Sequence, residues 1–148
     1  MNTYFEIVSF SPAYSHQIDK IIDILDPKKS VKHRLYKHHT LNARDANSRN
    51  GRVSLKCVER IGRNLDKLIL LDNETSGGKG SIENCIHIPS WKGNKNDTIL
   101  AEICPLLAMI ALKSMPAQQA ISSIRNQVNK NQKDGVKYIN FAMFQTDV

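Results

Sequence analysis

Two short apolar runs, Phe5–Phe10 (FEIVSF) and Lys67–Leu71 (KLILL), break off at polar residues, Ser11-Pro12 after the first and Asp72-Asn73 after the second. Apolar runs this short, bounded by turn residues and rich in branched side chains, read as buried strands. Cys85–Ile88, closed by Pro89, reads the same way, and His33–Tyr36 reads as a shorter strand. Helical periods lie between them. Ile18, Ile21, Ile22 and Leu25 fall at i, i+3, i+4 and i+7, so Ser15–Leu25 is a helix with one apolar face, stopped by Asp26-Pro27. Asn42–Gly51 is polar and turn-rich and is expected to be a surface loop. Leu55–Ile61 is expected to be a short helix ended by Gly62. Asp97 or Thr98 caps a helix to about Lys113, and Pro116 opens another that runs to about Asn129. Strands alternating with helices imply an α/β fold with a mostly parallel sheet.

The 148 residues suit one compact domain, and no repeat or linker divides them. The domain is expected over residues 1–130, with residues 131–148 a tail whose Tyr138, Phe141 and Phe144 act as anchors. The net charge of +7 favours anionic partners. Much of it clusters from Lys28 to Arg52, in a stretch without the interleaved aromatics of a single-strand platform. A solvated face or a protein contact is therefore expected there, and nucleic acid is not an expected partner. Cys57, Cys85 and Cys104 form no close pair, so a disulfide framework is not expected. Ile99–Leu112 is the most apolar stretch, but Glu102 and Pro105 interrupt it and no transmembrane segment is expected. No secretory signal is expected in the first residues, which lack a basic and an apolar region.

Single motifs are weak. Gly77-Gly78-Lys79-Gly80-Ser81 lacks phosphate-loop spacing and reads as a turn. His33, His38 and His39 lack the further ligands of a zinc site and read as surface histidines. The more informative constellation is Ser11 after one strand, Lys56 near a short helix, and Asp72-Asn73 after another strand. Ligands of open α/β sheets bind beyond the carboxyl ends of the strands, so Ser11 and Asp72-Asn73 are candidates for one crevice. A hydroxyl, a cation and a carboxylate with an amide suit a phosphoryl group. The spacing fits ordinary strand-end caps equally well.

The wording of the chain is more specific. Phe5–Ser11 resembles "YEIVVFTA". Leu25–Lys28 and His33–His39 resemble "LDPKG…HRLFREH". Lys56 with Arg60–Asn73 resembles "KDLSRLGRDLSKVIIVDN". Glu83–Trp91 resembles "ENAIPIPSW", and Asn96–Leu107 resembles "NDTELLDLLPFLE". In this order the blocks are similar to the haloacid-dehalogenase-type C-terminal-domain (NLI-interacting-factor-like) phosphatases. That family includes RNA polymerase II tail phosphatases and the receptor subunit of the mitochondrial presequence translocase. Trp91-Lys92-Gly93 followed by Asn96-Asp97 leans toward the translocase branch.

The resemblance implies a haloacid-dehalogenase-like (Rossmannoid) parallel sheet with flanking helices. By position, Ser11 and Lys56 match the family's phosphate-binding hydroxyl and cation, and Asp72 and Asn73 its magnesium-holding motif. Cys57 stands where the family has an acid after the lysine. The family's D-x-D-x-T segment supplies the attacking aspartate and the acid/base, and no Asp-x-Asp occurs in these 148 residues. The chain starts about where the family's next strand should begin, so the sheet is expected to lack its first, central strand. Each buried backbone group left unpaired costs about 1–3 kcal/mol, against a domain stability of roughly 5–15 kcal/mol. A partner chain, a direct meeting of the flanking strands, or further residues of the natural protein would fill that gap.

The expectation is a catalytically inactive interaction or scaffold subunit of a larger, mitochondrial, membrane-associated assembly. It would carry vestigial Ser11, Lys56, Asp72 and Asn73, need no cofactor, and take other protein subunits as partners, one of them completing the sheet. The alternative is a Mg²⁺-dependent phosphoserine/threonine phosphatase with its nucleophile on a missing or separate segment, in the nucleus or cytoplasm.

Overall fold

The computed structural model describes residues 1–46, 48–73 and 82–133. Strand β1 (Ile7–Phe10), helix α1 (Ser15–Leu25) and strand β2 (Val31–Leu35) form a βαβ unit with the two strands parallel. The ladder continues past β1, where Ser11 N–H donates to the Leu35 carbonyl at 2.9 Å. Arg34 reaches from β2 to Asp19 and Asp23 of α1, and the Tyr36 hydroxyl also donates to Asp19. Asp26 turns the chain from α1 into β2: its two carboxylate oxygens accept the N–H groups of Ser30 and Val31 at 2.9 and 2.7 Å.

The stretch expected to be a surface loop is in large part a hairpin. Strands β3 (Leu41–Arg44) and β4 (Arg52–Leu55) pair antiparallel, with Asn42 opposite Ser54 and Arg44 opposite Arg52. Leu55 therefore ends a strand, and the short helix contracts to a 3-10 turn, Val58–Ile61, stopped by Gly62 in the left-handed region at φ 72°. Strand β5 (Leu70–Asp72) starts three residues later than expected, because Leu65–Lys67 coil into a 3-10 turn capped by the Asn64 side chain. Strand β6 (Cys85–His87) runs parallel to β5.

Helices α2 (Ile99–Leu112) and α3 (Ala117–Lys133) hold the core. Ile103, Leu106, Leu107 and Ile110 recur at helical spacing on α2 and pack with Ala120, Ile121 and Ile124 of α3 and Ile86 of β6. Ile69, Leu71 and Phe5 lie against this cluster, which brings the segments leading into β1 and β5 onto one core. No helix among the described residues is long and apolar enough to cross a membrane.

The fold is mixed α/β with short parallel strand pairs, a fragmentary form of the expected Rossmannoid architecture. The expected single sheet is instead three two-stranded sheets, β1–β2, β3–β4 and β5–β6. The flanking strands β1 and β5 do not meet directly, so each is paired on one edge only among the described residues. Their burial follows. Every residue of β1 is half-buried, and in β5 only Asp72 is fully buried. The apolar face of α1 is likewise incompletely covered: Ile18 and Ile22 are half-buried, while Ile21 is exposed and Leu25 is 76% exposed. The glycine-rich stretch at 77–81 and the aromatic tail lie outside the described residues.

Candidate functional site

Lys56 leaves β4 just before the Val58–Ile61 turn, and Asp72 is the last residue of β5. The two elements bring them together: Lys56 Nζ donates to Asp72 Oδ2 at 2.9 Å. The pair is shielded from water, with the carboxylate side chain 1% exposed and the lysine side chain 12%. An ammonium and a carboxylate this dry attract far more strongly than at a surface, and each offsets the desolvation of the other.

Cys85 lies opposite Leu70 across the β5–β6 ladder, close enough for the Asp72 carboxylate to act on it. Burial first, and then that carboxylate, push its thiol up. Burial and Glu59 push Cys57 up in the same way. Both thiols are therefore held protonated, the opposite of an activated nucleophile. All three cysteines are free.

Asn73 is exposed, and its amide donates to Ser90 Oγ at 3.0 Å, tying the end of β5 to the segment after β6. Ser11 Oγ accepts the Ala13 N–H at 3.2 Å and serves the turn from β1 into α1. Of the four sequence-selected residues, the fold thus joins Lys56 to Asp72 and places Asn73 beside them. The partner of Ser11 lies in its own turn. Two neighbours escaped the sequence reading, Cys85 and Ser90. The β5–β6 register brings Cys85 opposite Leu70, while Ser90 lies past β6 and is found by its bond to Asn73.

Mg²⁺ takes one or two carboxylates, keeps several waters and demands near-octahedral oxygens. Asp72 supplies one carboxylate, whose Oδ2 accepts from Lys56. No group of three or more His, Cys, Asp or Glu side chains suited to a metal occurs among the described residues. The described residues alone do not make a magnesium site.

Residues 1–118 match the family model described as NLI interacting factor-like phosphatase. The chain belongs to that family. Its relatives divide between two kinds of protein. It is 30% identical over 108 residues to the mitochondrial import inner membrane translocase subunit TIM50 of Caenorhabditis elegans, covering 73% of this chain and 22% of that protein. It is 33% identical over 110 residues to phosphatase PSR1 of Saccharomyces cerevisiae, covering 74% of this chain and 24% of that one. With CTD small phosphatase-like protein 3 of C. elegans the identity is 32% over 107 residues, covering 72% of this chain and 35% of that one. The match thus spans between about a fifth and a third of the length of these relatives.

Proposed function

We propose that this NLI-interacting-factor-like domain works by docking, as a non-catalytic interaction subunit of a larger protein assembly. The observation that carries the reading is the pairing of β1 and β5 on one edge each among the described residues. Parallel strands are ordinarily covered and paired within larger sheets. An open edge of Val, Ile and Leu is a template on which an extended segment adds a strand, its main-chain hydrogen bonds giving the affinity. The resemblance to translocase subunits supports a mitochondrial, membrane-associated assembly as the setting.

A second reading is favoured by the Lys56–Asp72 geometry itself. The cation and carboxylate meet at the carboxyl end of β5, the side on which α/β sheets bind ligands. If polypeptide outside these residues supplies an aspartyl nucleophile, Ser11 and Lys56 would hold a phosphoryl group, and Asp72 and Asn73 would complete a Mg²⁺ site. Phosphatase activity of the purified native assembly decides between the two, with Lys56→Ala as control. The docking reading expects equal background release from both proteins. Turnover that needs Mg²⁺ and disappears with Lys56→Ala would replace it by the phosphatase reading.

A further inference from the structure

A second surface lies over the β1–β2 pair, whose Val8, Phe10, His33, Arg34 and Leu35 contribute to it. There the Val58–Ile61 turn and Arg63 stand over the strands and leave a groove of about 440 Å³. That falls within the range of pockets that enclose a ligand, about 300–1,000 Å³. Its floor is apolar: Val8 and Phe10 from β1, Leu35 from β2, and Ile61 from the turn. Its rim is basic or imidazole, with His33, Arg34, His38, His39, Arg60 and Arg63.

No Asp or Glu is among the lining residues. Glu59, beside Arg60 in the turn, acts on the lining residue Cys57 but does not itself line the groove, and other carboxylates around it are engaged. Glu6 accepts from Arg63 at 2.8 Å and from His33 at 3.1 Å. Asp19 and Asp23 hold the Arg34 guanidinium on the α1 side. The backbone N–H of Tyr36 donates to His39 Nδ1, which fixes that ring, and the His38 ring lies against it at 4.0 Å between centroids. Arg60 is exposed and forms no ion pair among the described residues. The groove therefore offers an unoccupied guanidinium and a fixed imidazole pair above aliphatic side chains.

We infer that this groove binds an acidic peptide segment of a protein partner, one aliphatic side chain on the Val8–Leu35 floor and flanking carboxylates against Arg60 and the histidine rim. Charge complementarity selects an acidic ligand, and the floor selects one with an apolar anchor. A nucleic acid fits less well. Phe10 is the one lining residue with a carbocyclic ring on which a base would stack, and a phosphate backbone asks for a row of cations rather than one free arginine. The inference shares with the docking reading only the idea of a polypeptide partner. It uses side chains over β1 and the Arg60 guanidinium rather than the backbone edges of β1 and β5, so either can fail without the other.

The test is fluorescence anisotropy on the full chain with a labelled peptide of alternating glutamate and leucine. A glutamine–leucine peptide and a single-stranded RNA oligonucleotide serve as comparisons. Arg60→Glu is set against Arg44→Glu, the same charge change on the exposed β3 strand, with circular dichroism verifying both folds. The expected result is binding of the acidic peptide, weakened at least about tenfold by Arg60→Glu and less than about twofold by Arg44→Glu. The glutamine peptide is expected to bind at least about tenfold more weakly. No binding of the acidic peptide, equal losses in the two variants, equal binding of the glutamine peptide, or tighter binding of RNA through Arg60 would each overturn the inference.

Discussion

Lys56 and Asp72, sixteen positions apart in the chain, meet at 2.9 Å with the carboxylate almost wholly shielded from water. The pair fastens the exit of the β3–β4 hairpin to the end of β5, two elements that share no ladder. Removing one partner of such a pair leaves a buried charge uncompensated. Lys56→Ala is expected to lower the unfolding free energy by about 3 kcal/mol in denaturant titrations. The double change Lys56→Met with Asp72→Asn removes both charges and is expected to cost less than Lys56→Ala alone. A Lys56→Ala protein as stable as the parent would mean that the pair contributes nothing to folding.

Asn84 binds three segments at one point. Its amide donates to the Leu65 and Leu68 carbonyls at 2.6 and 2.8 Å, and its oxygen accepts from Gln118 of α3 at 3.0 Å. It is 2% exposed. Asn84→Ala takes the side-chain donor from both carbonyls, leaving that of Leu65 with the Leu68 N–H alone, and is expected to cost about 1–3 kcal/mol. Asn84→Asp is expected to be worse near neutral pH, because a carboxylate then faces those carbonyls. Acidification restores one donor, so the gap between the two variants should narrow as the pH is lowered. Thermal melts across a pH series read both effects.

Acid should act on the αβ turn through Asp26. The Val31 and Ser30 N–H groups hold its carboxyl below the ordinary carboxylate range. A carboxyl with a depressed folded-state pKa stabilises above its unfolded value, about 3.9. That contribution is lost as the pH falls through the folded value. Asp26→Asn keeps the size of the side chain and removes the titration. The variant is expected to be less stable than the parent at pH 7, with the difference shrinking below about pH 4. Melting temperatures of the two proteins at matched pH measure this, and a constant difference would place the acid sensitivity elsewhere.

Much of this organisation is legible before any coordinates. The i, i+3, i+4, i+7 spacing of Ile18–Leu25 and the terminators Asp26-Pro27 place α1 to the residue. Polar breaks mark where β1 and β5 end, and the Lys56 and Asp72 singled out by resemblance do come together. The hairpin was hidden because its strands have little apolar alternation: Asn42, Arg44 and Arg52 are exposed, and two arginines face each other across the ladder. The division into separate sheets was hidden for a different reason. A run such as Leu70-Leu71 reports that a strand wants burial, not whether a neighbour is there to provide it. The Asn84 clamp depends on Leu65 and Leu68 carbonyls presented by a 3-10 turn, which side-chain patterning does not encode.

The docking account is tested most directly by hydrogen–deuterium exchange at Ile7–Phe10 and Leu70–Asp72, measured in the isolated chain and again in the purified native assembly. Backbone N–H groups of β1 and β5 that do not point toward β2 or β6 should exchange rapidly in isolation and become strongly protected in the assembly. Identical exchange at these amides in the two samples would contradict the account, because the open strand edges would then bind nothing.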